Sequence, residues 1–172
     1  MINQDNGLYD FDSFSRRGMD SVPLSIFVGG KVGLRLERFE MTLSATPGLQ
    51  VGKSWSGAGL VLDAELTWHA LKLGGTEFIV VASAKFSDKK YNNLYYGVKS
   101  KDVIDGREEY KAKSGYLGNS IAVHYHTWKP MNSLIFGMFV ECQNMDNSVV
   151  EDSPLVINKH NFLAGAGFGF FF

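Results

Sequence analysis

Apolar and polar side chains alternate along most of this chain, with the period of two that a β-strand imposes on its two faces. From Leu24 one row reads Leu24, Ile26, Val28, Gly30, Val32, Leu34 and Leu36, and the other Ser25, Phe27, Gly29, Lys31, Gly33, Arg35 and Glu37. The same division recurs in Phe39 to Ala45, Leu60 to Ala70, Glu77 to Phe86, Leu117 to Trp128, Ser133 to Gln143 and Phe162 to Phe172. The pattern predicts seven antiparallel strands. A turn at Glu37–Arg38, a turn at Gly74–Gly75 and the KPMN stretch at Lys129–Asn132 make the gaps after the first, third and fifth strands short. Three long gaps alternate with them. TPGLQVGKSWSG after the second strand reads as a loop from its Pro and Gly content, residues 87–116 are a long polar segment, and residues 145–160 precede the last strand. Residues 1–20 read as loop, with only Tyr9 to Asp12 alternating as a candidate fragment of an eighth strand.

None of the positions in the seven apolar rows is Asp, Glu, Lys or Arg. The opposite rows carry Lys31, Arg35, Glu37, Glu40, Asp63, Glu65, Glu77, Lys85 and Glu141. Two barrels satisfy such a division. A soluble one keeps its apolar row inside, whereas a membrane one turns it to lipid, where a Lys or Arg at mid-depth costs about 2–4 kcal/mol. Loop lengths favour the second, because outer-membrane barrels have short periplasmic turns and long external loops. Aromatics agree. Phe39, Trp68, Phe78, Tyr125 and Phe172 lie near the predicted periplasmic ends, and Trp55, Phe86, Tyr91, Tyr116 and Phe162 near the outer ends, as two interfacial girdles. The expected fold is therefore all-β, one antiparallel transmembrane up-and-down β-barrel domain over residues 1–172.

Composition narrows function. The 172 residues carry a net charge of −1, which is not the footprint of a protein that binds nucleic-acid phosphates. Glycine is abundant at 19 and proline scarce at 4, as in a sheet with one apolar and one polar face. The single cysteine, Cys142, forms no disulfide within the chain. No apolar run is long enough for a transmembrane helix, and the polar first twenty residues are not a secretory signal peptide.

Candidate chemistry is sparse. His124 and His126 sit two apart and share a face, with Glu141 on the next strand; the three are either weak metal candidates or ordinary polar lining. Lys31, Arg35, Asp63, Glu65, Glu77 and Lys85 line the predicted lumen, as a conduction path or as a plug of paired charges. GKS at Gly52–Ser54 is not a phosphate loop, since Pro47 stands where its first glycine is required. GAGFG at Gly165–Gly169 is no dinucleotide motif, because no helix follows it. No serine lies in a nucleophile elbow. The residues predict neither an enzyme nor a cofactor.

The terminal strand is similar to the carboxy-terminal signal read by the barrel insertion machinery, through Gly167, Phe170 and Phe172, with Gly165 standing where a polar residue is usual. Tyr96, Gly97 and Val98, then Tyr110 and Gly115, then Glu151, Asp152, Ser153 and Pro154 before the aromatic end resemble the MipA/OmpV family of MltA-interacting outer-membrane proteins. RRGM at Arg16–Met19 and DAELTW at Asp63–Trp68 are compatible with it. Two departures accompany the match. Glu151 and Asp152 replace the small residues usual before the Ser-Pro pair, and members carry a signal peptide and further strands upstream. The resemblance thus implies an N-terminally truncated member, with residues 1–20 a loop or the remnant of an upstream strand. It also implies residence in the outer membrane of a Gram-negative bacterium and a scaffold that holds a lytic transglycosylase near a peptidoglycan synthase. Lipid and the insertion machinery are the remaining expected partners. The alternative is a pore or adhesin acting through the lumen or the external loops.

Overall fold

Each strand returns beside the one before it. The computed structural model describes residues 4–5, 8–9, 14–51, 56–129 and 134–170. Its elements are β1 (Gln4–Asp5), β2 (Leu8–Tyr9), β3 (Ser25–Phe27), β4 (Gly30–Leu36), β5 (Phe39–Gln50), β6 (Ser56–Leu73), β7 (Thr76–Ser87), α1 (Lys89–Tyr96), β8 (Gly115–Lys129), β9 (Leu134–Asn144) and β10 (His160–Phe170). The main sheet runs β10-β9-β8-β7-β6-β5, with β3 and β4 end to end along the far side of β5. Every ladder is antiparallel, and the sheet curls into a half-barrel. The expected all-β, up-and-down architecture is thus the observed one. Two-residue turns drive it at one end, where Glu37 takes a φ of 50° and Gly74 and Gly75 take φ of 55° and 85°. Left-handed residues of this kind match the twist of a tight hairpin. Among the described residues no helix is long and apolar enough to cross a membrane, which bears only on helices.

Exposure separates the two barrels that alternation left open. Val32, Leu43, Ile121 and Phe168 are 72%, 62%, 60% and 75% exposed, while Thr42, Glu77 and Ser120 are 7–8% exposed. The apolar row is on the convex outside and the polar row on the concave inside. Most of the strands in the sheet match or exceed the roughly 9–11 residues that a tilted strand needs to cross a bilayer, and β6, at 18 residues, runs beyond it.

Several details depart from the pattern. The expected single strand from Leu24 to Glu37 is broken at Val28–Gly29, and the cause lies on its neighbour. Val28 N–H donates to the Pro47 carbonyl at 3.2 Å, but Pro47 has no N–H to return the bond. The expected loop after Ala45 is instead strand through Gln50, since Pro47 turns its missing donor toward the edge, where a strand tolerates it. Of the candidate strand Tyr9–Asp12 only Tyr9 is described, and it lies outside the main sheet. Leu8 and Tyr9 pair with Asp5 and Gln4 in a separate short ladder, and Asp10–Asp12 lie outside the described residues. So do residues 130–132 of the KPMN turn, Ser133, Trp55 and Phe172.

Bulges shift the rows. Phe86 pairs with Tyr116 and Lys85 with Gly118, so Leu117 is the extra residue between them. It leaves the lipid-facing row to which alternation assigned it and turns inward, 8% exposed, while Tyr116 stays outside against Phe86 at 5.7 Å between ring centroids. A second bulge at Ala70 re-aims the end of β6.

The buried apolar cluster forms where the outer end of β8 meets the two long connections. Ala112, Leu117 and Val150 are buried together, with Tyr91, Tyr96, Tyr110, Met145 and Val149 packed round them. The two long connections fold over the outer end as a cap.

Candidate functional site

The cap is built by a few side chains that replace secondary structure with specific hydrogen bonds. Asp88 starts α1 by accepting Tyr91 N–H at 2.7 Å. The helix lies over Gly59, whose φ is +105° and where a Cβ would collide with the Tyr91 backbone. Asn92, fully buried, donates to the Lys113 carbonyl at 2.7 Å; Asn93 donates to the Ala112 carbonyl at 2.8 Å and accepts from Ala112 N–H at 3.0 Å. Val98 and Tyr110 exchange backbone bonds, and the Tyr110 hydroxyl donates to the Val149 carbonyl at 2.9 Å. Burial, with Asp152 and Glu151 nearby, raises that phenol above its ordinary pKa. Ser153 donates to the Tyr96 carbonyl at 2.7 Å, tying the second long connection to the first. Tyr96, Val98, Tyr110 and Ser153, which carry the family resemblance, are therefore joints of the cap.

Arg107 locks the cap to the segment before β3. Its guanidinium is 5% exposed and donates to the carbonyls of Asp102, Ser15 and Arg17 at 2.8–3.0 Å. Arg16 donates to the Tyr95 carbonyl, and Lys101 pairs with Asp20, holding that carboxyl below its ordinary range. Sequence reasoning missed Arg107, Asn92 and Asn93, because nothing in a polar stretch marks which polar residue is buried.

Beneath the cap lies the polar trough. Asp63 and Glu65 on β6, Glu77 and Lys85 on β7 and Glu141 on β9 fall in its inward rows. Lys85 Nζ stands 4.0 Å from Asp63 Oδ2 across the ladder, and Thr67 donates to Glu65 at 3.2 Å. Lys31 and Arg35 stand on the exposed edge strand β4, opposite Ser44 and Glu40. His69, whose role the pattern did not reveal, brings Nδ1 within 2.7 Å of Glu77 Oε1 over the Gly74–Gly75 hairpin. Its Nε2 and Asp63 Oδ1 are buried atoms with no hydrogen-bond partner among the described residues.

His124 and His126 do share the inward face, with ring centroids 6.0 Å apart. The metal candidates are not assembled, however. His124 stacks on Phe139 at 5.8 Å, and Glu141 accepts from Gln143 at 3.1 Å opposite Ala122. Among the described residues no three His, Cys, Asp or Glu converge as ligands. Tyr91, expected in the outer girdle, faces the cap interior against Phe27 and Tyr95. At the other end, Phe39 stacks on Trp68 and Phe78 packs on Tyr125 at 4.9 Å. Gly167 pairs with Gly137, and Phe170 with Leu134 by backbone, on β10.

Comparison with known proteins adds what geometry leaves open. Residues 2–172 match the family described as MltA-interacting protein MipA. The chain is similar to outer membrane protein Omp26La of Vibrio anguillarum, 27% identical over 105 residues, which is 61% of this chain and 40% of that protein. It is also similar to outer membrane protein OmpV of Vibrio cholerae serotype O1, 26% identical over 105 residues with the same coverage. The matched region thus spans about two-fifths of these curated relatives, 40% of each. No solved structure matches the chain.

Proposed function

Because the chain belongs to the MltA-interacting protein family MipA and is an outer-membrane protein, we propose that it acts on the periplasmic side of that membrane. In this reading it is a scaffold that holds a lytic transglycosylase of the MltA kind beside a peptidoglycan synthase. The family description carries the reading, and one feature of the fold supports it. The β6–β7 hairpin runs past the neighbouring Glu37–Arg38 turn, since Phe39 already pairs with Trp68 while the hairpin continues to Gly74–Gly75. Leu71 and Leu73 are 50% and 72% exposed on that projection, with Lys72 between them. An apolar tip rimmed by charge is the kind of patch that a protein partner covers. The turns at Glu37 to Phe39 and Lys129 to Asn132 are the other periplasmic contacts of this reading. Neither the family description nor the relatives' names are those of enzymes.

The test is capture of the detergent-solubilised protein on an immobilised MltA-type transglycosylase. Leu71→Ser with Leu73→Ser should lower capture at least tenfold, and Val103→Ser in the cap should not. Capture that is absent from the wild type, or untouched by the hairpin change, would sink the scaffold reading. A second reading draws on the cap. Its buried joints make the outer connections a fixed surface, which suits an adhesin or a gated pore; that reading gains if Val103→Ser is the variant that loses function in cells.

A further inference from the structure

A cavity of about 270 Å³ lies beneath α1, at the outer end of the polar trough. Its lining divides by chemistry. The inward rows of β7 and β8 supply Ser83, Lys85 and Ser120, while the cap supplies Tyr91, Tyr96 and Met145, and the bulge in β8 adds Leu117. Gly118, the partner of Lys85 across the ladder, has no side chain to fill the space. Among the described residues that line the cavity, Lys85 is the one that carries a charge. The carboxylate oxygen nearest to its Nζ is Asp63 Oδ2 at 4.0 Å, an ion pair too long to be a hydrogen bond. The three donors of the ammonium are therefore unspent on that pair. Ser83 and Ser120 share one hydrogen bond at 2.9 Å, which leaves one hydroxyl hydrogen to donate. The apolar side is fixed in advance. Asp88 caps α1, Asn92 ties it to the Lys113 carbonyl, and Ser153 holds the Tyr96 carbonyl, so the ordering cost that a ligand would meet is already met.

We propose that this cavity binds a small aromatic monocarboxylate, with the carboxylate on Lys85 and the ring among Tyr91, Tyr96, Leu117 and Met145. Size, charge and lining each narrow the class. A volume of about 270 Å³ falls just below the roughly 300–1,000 Å³ of sites for drug-sized ligands, which suits one ring with its substituents. A single ammonium matches a single negative charge, and the spare serine hydrogen is a second donor for the same group. A phosphate dianion would call for more cation, or for the fork of an arginine, and Asp63 nearby opposes a second negative charge. Tyrosine rings and a thioether favour a flat apolar ring over a polyol. The proposal does not depend on the scaffold reading, because the cavity lies at the outer end and the scaffold contacts lie on the periplasmic turns.

The test is isothermal titration calorimetry of the 172-residue chain in detergent micelles, against a blank of micelles alone. Three probes separate the features. 4-Hydroxybenzoate carries both the ring and the charge, 4-hydroxybenzamide keeps the ring and loses the charge, and glucuronate keeps the charge on a polar ring. Saturable binding of 4-hydroxybenzoate is expected, with the amide weaker by roughly tenfold, the worth of a hydrogen bond to a charged group. Glucuronate should also bind more weakly than 4-hydroxybenzoate. Lys85→Met should weaken 4-hydroxybenzoate by roughly tenfold and leave the amide unchanged, whereas a merely structural lysine would move both ligands together. Absence of saturable binding by the wild type, equal affinity for the acid and its amide, or tighter binding of glucuronate would overturn the proposal. If Lys85→Met fails to fold, the three probes on the wild type decide alone.

Discussion

Arg107 shows how much of the outer cap hangs on single buried donors. Replacing it with Ala withdraws the donor from the carbonyls of Ser15, Arg17 and Asp102, at a cost of about 3 kcal/mol for a buried charged group with several bonds. The segment before β3 should then be released, with trypsin cleavage after Arg16 and Arg17 at least tenfold faster; Lys at 107 should not restore protection, since an ammonium lacks the fork. Glu151 makes a milder and titratable joint. Its carboxylate accepts the N–H of Asn147, which sits at a φ of 58°, and pairs with Lys159 at 3.2 Å; both contacts hold its pKa below the ordinary 4.5. A depressed carboxylate stabilises the fold above its unfolded pKa and loses that effect as pH falls through the folded one. Protection of residues 145–159 from proteolysis should therefore be full at neutral pH and decline below about pH 4.5, and Glu151→Gln should remove that acid step. The resemblance marked Glu151, Tyr110 and Ser153 in the sequence. Arg107 was not legible, because only the fold distinguishes a buried arginine from its exposed neighbours Glu108 and Glu109.

Among the elements, periodicity carried the assignment, and single-residue insertions limited it. Seven alternating stretches became the seven positions of the sheet, and the turns at Glu37–Arg38 and Gly74–Gly75 stand where they were expected. Leu117 could not be placed by alternation, because a bulge reverses parity without changing composition. The consequence is measurable. Leu117→Ala empties a site in the cap core and should destabilise by about 2–4 kcal/mol. Ile121→Ala, on the lipid face four residues along the same strand, should cost well under half as much in the same unfolding measurement. Equal losses would return Leu117 to the outer row. Pro47 misled in the opposite way. It reads as a loop signal, yet it is strand, because its lost donor faces the sheet edge; the price is the break between β3 and β4. The helix α1 was hidden in a polar segment whose helical start, Asp88, is an ordinary surface residue by type.

For the whole molecule, the decisive property is which side of the sheet meets lipid. The convex face is apolar, the concave face holds Asp63, Glu65, Glu77, Lys85 and Glu141, and membership of an outer-membrane family agrees with that division. Alternation alone left the two faces interchangeable, since a soluble barrel has the same period; curvature broke the symmetry. Adjacent residues give the sharpest test, because one step along a strand crosses the sheet. Three neighbouring pairs, Leu43 and Ser44, Ala84 and Lys85, Cys142 and Gln143, each place one side chain outward and one inward. The measurement is labelling of single cysteines at these six positions by a water-soluble maleimide in isolated outer membranes, with Cys142 replaced by Ala in all but the wild type. Labelling at 44, 85 and 143, with 43, 84 and 142 silent until detergent is added, is the predicted result, and labelling at 43, 84 and 142 with the other three protected would contradict the account.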